Sequence, residues 1–370
     1  MKKISVVILV VVLLIIAGSA FSKSKSTSSI KIVALYPLTG GVASWGESSK
    51  QGTDLAVSEI NKNGGINGRP LEIIYQDHKC DPKSALSAFE RSLLQSHIFI
   101  SSSCSGTVLS IAPKLQNQDA LLLATVVASV KLSGVSPLLF RNWAVETQQA
   151  ELIGQKIKDA GYKKIGVLYE ETDYAKGLNL ALQRFLQGTP VTFVEESFAP
   201  NTTDLRTQLT KLKSANLDVL FISPQSEASS EVIFAQMGQL KFKPRVFVND
   251  IILGATGLLE KHASSLEGAL GGNLLVQSDK LEAFTEALKA YSNNDCIHLN
   301  ACAVAYDSIY VLAEAFKKKG ESAKGVQTYL EGISYNGVSG RTAFDQNHDR
   351  KGASYTLSVV KSGKVYVANQ

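Results

Sequence analysis

The residues Ser102-Ser103-Cys104-Ser105-Gly106-Thr107 follow a short apolar run and open a helical pattern at Val108. Uncommitted N–H groups and hydroxyls at a helix start suit an anion, a carboxylate among them. Patterns for catalysis are missing. The chain has no G-x-G-x-x-G after a strand, no Walker A loop, no H-E-x-x-H and no G-x-S-x-G elbow. Its five histidines (78, 97, 262, 298 and 348) stand apart from each other and from any candidate nucleophile. Asp345-Gln346-Asn347-His348-Asp349 begins like a calcium loop, but Arg350 holds the sixth position and Thr356 the twelfth, so a tight turn is expected. The residues therefore point to binding without a cofactor, and away from an enzyme. Four cysteines, Cys80, Cys104, Cys296 and Cys302, lack the spacing of a zinc knuckle and any ligand-like His beside them. In an exported chain an even number suggests disulfides; three pairings are open, and proximity favours 80–104 and 296–302. Asn201-Thr202-Thr203 is a glycosylation sequon that matters only in a eukaryotic secretory route.

The N-terminus supplies the export argument. Lys2 and Lys3 precede the apolar run Ile4–Ala17 and the small residues Gly18-Ser19-Ala20, the pattern of a secretory signal over residues 1–20. An uncleaved anchor is the alternative. No Cys precedes Cys80, so there is no lipobox, and residues 21–29 read as a flexible tether. A periplasmic or extracellular location is expected. With 370 residues, 45% of them hydrophobic, the chain has room for two domains with cores of their own. Its net charge of +5 is spread out, and without a basic stripe no nucleic-acid partner is expected. A monomer is the expected state.

Elements that could position the loop at Ser105 alternate along the chain. Strands are predicted at Lys31–Leu35, Leu71–Gln76, His97–Ser101 and Leu121–Thr125, with helices at Glu47–Lys62, Pro82–Gln95 and Val108–Gln116 between them. The rhythm restarts after Arg141. Helices Glu146–Asp159, Tyr174–Leu186, Asp204–Lys213 and Ser229–Gln239 alternate with strands Lys164–Tyr169, Val191–Glu195, Asp218–Ile222 and Arg245–Val248. Helices Leu281–Tyr291 and Cys302–Lys319 follow, then strands Tyr355–Val360 and Val365–Ala368. This is an α/β protein with parallel central sheets in two similar lobes. Ligands of such sheets bind beyond the carboxyl ends of the strands.

Tyr36-Pro37-Leu38-Thr39-Gly40, Trp45-Gly46, Glu59-Ile60-Asn61, Gly64-Gly65-Ile66-Asn67-Gly68 and Asp77 … Cys80-Asp81-Pro82 resemble the branched-chain amino-acid-binding proteins, the periplasmic components of ABC transporters. Ile165-Gly166-Val167-Leu168-Tyr169, Tyr174-Ala175-Lys176-Gly177 and Ala305-Tyr306-Asp307 extend the likeness along the exported chain. The resemblance implies a type I periplasmic-binding fold: two Rossmann-like lobes joined by three crossovers, near 143–146, 272–277 and 335–342. The N-terminal lobe would then be 30–144 plus 275–338, and the C-terminal lobe 145–274 plus 339–370. It implies a partner permease in the membrane and a small amino acid or related polar solute as ligand. A ligand-sensing receptor domain of the same fold, or a binder of amides, urea or short carboxylates, is the alternative.

Family roles fall on particular residues. Ser105 matches the serine that holds the ligand carboxylate, and Asp250 the acid that pairs with its ammonium. Trp45 and Tyr174 match aromatic residues that cover the ligand, one from each lobe. Val126 and Ala128 match backbone contacts; Ala128 stands where a threonine is usual, which leaves Ser129 as the nearest hydroxyl. Gln225 stands where an aromatic is common, so the side-chain pocket differs from the family's. Cys80 and Cys104 match the family's disulfide. Glu227, on the loop beside Gln225, is expected to be a bystander.

Overall fold

The computed structural model describes residues 28–274, 276 and 278–368. The expected signal and all but the last two residues of the tether lie outside them. Strand β1 (Ile30–Tyr36) is buried at every position but one, as a strand must be when helices cover both faces of its sheet. It pairs in parallel with β2 (Leu71–Asp77) and β3 (Ile98–Ser102). With β4 (Leu121–Thr125) and β5 (Leu139–Arg141) the first sheet runs β2-β1-β3-β4-β5. Helices α1 (Ala43–Lys62), α2 (Pro82–Ser92) and α3 (Ser105–Ile111) connect its strands. Asp81 caps α2 by accepting the Ser84 N–H at 2.7 Å, with Pro82 in the first helical position.

After Trp143 the chain enters a second lobe. Helices α4 (Glu146–Asp159), α5 (Asp173–Phe185), α6 (Arg206–Ser214) and α7 (Glu227–Gln239) alternate with strands β6 (Lys164–Glu170), β7 (Thr192–Phe198), β8 (Val219–Ser223) and β9 (Val246–Val248). Three short helices, α8 (Asp250–Gly254), α9 (Thr256–Lys261) and α10 (Ala263–Leu266), lead to β10 (Leu270–Asn273). The chain then returns to the first lobe as α11 (Leu281–Ser292), α12 (Leu299–Lys319) and α13 (Ala323–Glu331). Ala305, Ile309, Leu312 and Phe316 of α12 are all buried, as their helical spacing predicts. Close crossing of α12 over α1 depends on Gly52, where a Cβ would fall 2.0 Å from the Cys302 carbonyl oxygen.

A small hairpin, β11 (Tyr335–Gly337) and β12 (Gly340–Thr342), precedes the last passage into the second lobe. There β13 (Thr356–Lys361) and β14 (Lys364–Val367) add antiparallel to a sheet ordered β14-β13-β10-β9-β8-β6-β7. The third crossover therefore lies later than the expected 335–342, and the expected boundary after residue 338 falls inside the hairpin. The buried carboxylate of Asp307 on α12 holds that hairpin to the first lobe, accepting the Val338 and Ser339 N–H groups at 2.9 and 2.7 Å. Beyond the hairpin, Phe344 packs edge-on to Phe140 in the first core, and Asp349 bridges to Arg141. Asp345 accepts the Asn347 and Asp349 N–H groups, so the calcium-like sequence is a tight turn. Among the described residues no group of His, Cys, Asp or Glu is arranged to hold a metal.

Helices α1 and α3 start four and three residues before their predicted positions. In α3 the start is set by Cys104 in the left-handed region (φ 61°), a loop feature that no apolar stripe marks.

Candidate functional site

Both sheets aim the carboxyl ends of their strands at the space between the lobes. A residual cavity of about 20 Å³ there is lined by Trp45, Ser105, Val126 and Ala128 from the first lobe and Tyr174, Gln225 and Asp250 from the second. Seven of the eight residues singled out from the sequence thus meet at one point. The eighth, Ser129, stands behind the lining, fully buried; its N–H donates to the Ser105 hydroxyl at 3.2 Å. Cys104, singled out from the sequence as a disulfide partner in the Ser105 loop, also lines the cavity; Trp143 and Ile251 complete the lining and were not foreseen. Trp143 follows a strand of only three residues, and Ile251 sits in a helix of five, both too short to show as a period.

On the first lobe the loops after β2 and β3 are tied together. A disulfide joins Cys80 to Cys104 across a Cα separation of 5.5 Å, and a second joins Cys296 to Cys302. His78 braces the same corner. Its Nδ1 accepts the Cys80 N–H at 3.0 Å, and its Nε2 lies 3.2 Å from the Ser102 carbonyl oxygen, which assigns the Nε2–H tautomer. Burial pushes its pKa down to about 4, so it stays neutral. Ser103, Cys104 and Val126 all have φ between 53° and 62°. For a β-branched Val that is a costly conformation, concentrated here where backbone faces the cavity.

On the second lobe, Asn249 caps α8 and donates its amide to the Pro224 carbonyl at 2.7 Å, which fixes the loop after β8 against the loop after β9. Asp250, the first residue of α8, is buried and accepts hydrogen bonds from the phenols of Tyr174 and Tyr355, the latter at 3.2 Å. Burial raises its carboxyl above the usual range, against the opposing effect of Tyr174. Both tyrosines are pushed well above the ordinary phenol range, chiefly by burial, and remain donors. Tyr355 is a partner that the sequence did not expose. The Gln225 N–H donates to Glu170 at 2.7 Å, which leaves the Gln225 side chain on the cavity wall.

The charge balance of the lining is one-sided. Asp250 is its one carboxylate, and no Lys, Arg or His lines the cavity. A buried carboxylate with no cation is expensive unless a partner meets it. The Trp45 Nε1–H is likewise buried without an acceptor among the described residues.

Glu227 is not the bystander it was expected to be. Its Oε1 lies 3.0 Å from the His298 Nε2 and accepts the Ser44 hydroxyl at 2.8 Å, so it bridges from the second lobe to the first. Its carboxyl is held below the usual range, first by the hydrogen bond from His298 and against burial. Trp45, Ala128 and Trp143 share one apolar cluster with Tyr174 and Ile251, so the lobes are closed on each other.

A sequence model described as periplasmic binding protein matches residues 29–364. The leucine-, isoleucine-, valine-, threonine- and alanine-binding protein of Pseudomonas aeruginosa is 25% identical over 354 residues, 92% of each chain. The branched-chain amino acid transporter substrate-binding protein of Streptococcus pneumoniae, solved with isoleucine, superposes with a TM-score of 0.79 at 23% identity, over 92% of this chain and 99% of that one. A solute-binding protein of an R. palustris ABC transporter, solved with 4-hydroxybenzoate, gives 0.81 at 16% identity over 92% and 96%. A match of that extent, on a fold these proteins share from end to end, means that this chain belongs to the periplasmic binding protein family.

Proposed function

We propose that this protein is the exported solute-binding component of an ABC transporter, and that it closes on a small α-amino acid and hands it to a membrane permease. The observation that carries the reading is Asp250: one buried carboxylate, held by two phenol donors, on a cavity wall with no cation. A ligand ammonium would supply the missing charge. Ser105, the backbone at Val126 and Ala128, and the free Trp45 Nε1–H would face the ligand carboxylate from the other lobe. The ligands named for the P. aeruginosa relative support the same class. An aromatic carboxylate, as in the R. palustris protein, would bring an anion towards Asp250 with nothing to offset it. Ligand capture proceeds by closure: the lobes expel water, and the charge-assisted hydrogen bonds strengthen in the dry cleft.

Calorimetric titration with L-alanine, L-leucine and benzoate tests this on the parent and on Asp250→Asn. Removing one partner of a buried charge pair typically costs about 2–5 kcal/mol, so amino-acid affinity should fall between roughly 30-fold and several-thousand-fold. Binding to Asp250→Asn within about threefold of the parent, or binding of benzoate alone, overturns the proposal.

A further inference from the structure

We infer that Glu227, Ser44 and His298 form a latch that holds the closed lobes together and sets how long a ligand stays, without touching it. This rests on the amino-acid-binding reading above. None of the three lines the cavity. Ser44 lies in the first turn of α1 and His298 caps α12, both on the first lobe; Glu227 begins α7 on the second. Ser44 and His298 already meet within the first lobe, Oγ to Nε2 at 3.0 Å, and only closure brings Glu227 to them.

The first-lobe half of the latch is built and rigid. The Cys296–Cys302 disulfide brackets His298, and the His298 N–H donates to the Ser48 hydroxyl at 3.2 Å. The imidazole stacks on the Trp45 indole with centroids 3.9 Å apart and planes 9° from parallel. Its Nδ1 is buried without a partner among the described residues, which suits a bare acceptor and leaves the proton on Nε2, 3.0 Å from both the Glu227 carboxylate and the Ser44 hydroxyl. The second-lobe half is equally placed: the start of a 13-residue helix favours the Glu227 carboxylate. Trp45 links the latch to the site. The indole that His298 holds is itself a wall of the cavity, and it packs so closely on α8 that a Cβ at Gly254 would lie 3.1 Å from it. His298 is therefore a positioning residue for Trp45, and Glu227 completes the contact once the lobes meet.

A latch formed only after docking acts on release. Both tryptophans of the chain, Trp45 and Trp143, line the cavity, so their fluorescence reports binding and release in stopped flow. With L-alanine as the probe, Glu227→Ala should dissociate roughly 10-fold faster at a nearly unchanged association rate. Glu227→Gln, which keeps an acceptor, should recover part of that loss. The ligand-free melting temperature of both variants should stay at the parent's. In a double-mutant cycle with His298→Gln, the second substitution should add little to the first. Release from Glu227→Ala at the parent's rate, or full additivity in the cycle, overturns the latch. If neither L-alanine nor L-leucine binds the parent, the function reading fails instead, and the same rates measured with benzoate decide the latch.

Discussion

Burial decides the protonation of Glu146. This residue starts α4 at the first crossover and is fully buried. One carboxylate oxygen accepts the Val130 N–H at 3.0 Å, while the other has no hydrogen-bond partner among the described residues. Gly177 of α5 makes the room, since a Cβ there would fall 2.3 Å from the carboxylate. Burial pushes its pKa from the ordinary 4.5 up to about 8, outweighing the Val130 hydrogen bond and the charges of Arg141 and Lys131. The folded chain therefore keeps a proton that the unfolded chain loses. Stability from this residue is complete below about pH 4.5, declines as pH rises from there, and is lost above about 8. Asp250, Glu170 and Asp307 are raised for the same first cause and contribute with the same sign, while His78, pushed down to about 4, contributes with the opposite sign, so the comparison with a single variant isolates Glu146. Glu146→Gln removes one contribution. Its melting temperature, relative to the parent's, should climb steadily between pH 5 and pH 8 and level off beyond. Parallel profiles for the two proteins would show that Glu146 is ionised in the fold.

Among the elements, β5 and the third crossover depend on one buried ion pair. Arg141 ends β5; its Nε and Nη2 donate to Asp349 at 2.8 and 2.5 Å, and its Nη1 donates to the Ser129 carbonyl at 2.7 Å. The arginine side chain is 1% exposed. The pair thus fastens the stretch before β13 to the first lobe and steadies the backbone next to Ala128. Removing one partner of a buried pair leaves a charge stranded, at a cost of about 3–5 kcal/mol. Arg141→Ala should lose about that much in urea unfolding. Arg206→Ala is the contrast: its pair with Asp204 has side chains 61% and 55% exposed, where water and salt already satisfy both charges, so the urea midpoint should not move.

For the whole molecule, the cavity-lining residues are divided between lobes joined by three short passages, so the proposed clamp would couple binding to shape. The closed arrangement is joined across the cleft by the Lys131–Asp173 pair at 2.9 Å and by the Glu227 contacts. Small-angle scattering should give a smaller radius of gyration with saturating L-alanine than without it. Glu227→Ala should still compact when saturated, because the latch slows release but does not supply the ligand's own contacts. Equal radii in a sample with calorimetrically verified binding would show that the cleft does not open.

What the amino-acid order determined by itself was whatever local periodicity and local chemistry could encode. Strands such as Leu121–Thr125 and helices such as Glu146–Asp159 were legible because each carries its own apolar pattern, and the βα rhythm then required parallel sheets with a cleft at the strand ends. The cleft residues were legible as strand-end loops, and a likeness to known binding proteins gave Ser105 and Asp250 their expected roles. Tertiary structure alone decided the rest. β5, β10 and α8 are too short to have a period and exist because a neighbouring strand or loop pairs with them. Nothing within a few residues of 338 says that Asp307, thirty-one positions earlier, will hold that backbone to the first lobe. Tyr355 meets Asp250 across 105 residues, and Glu227 meets Ser44 across 183. Hydrogen bonds of that reach depend on how two lobes close. No sequence window contains both partners, so a carboxylate that locally begins a surface helix becomes a bridge only when the fold brings the other lobe to it.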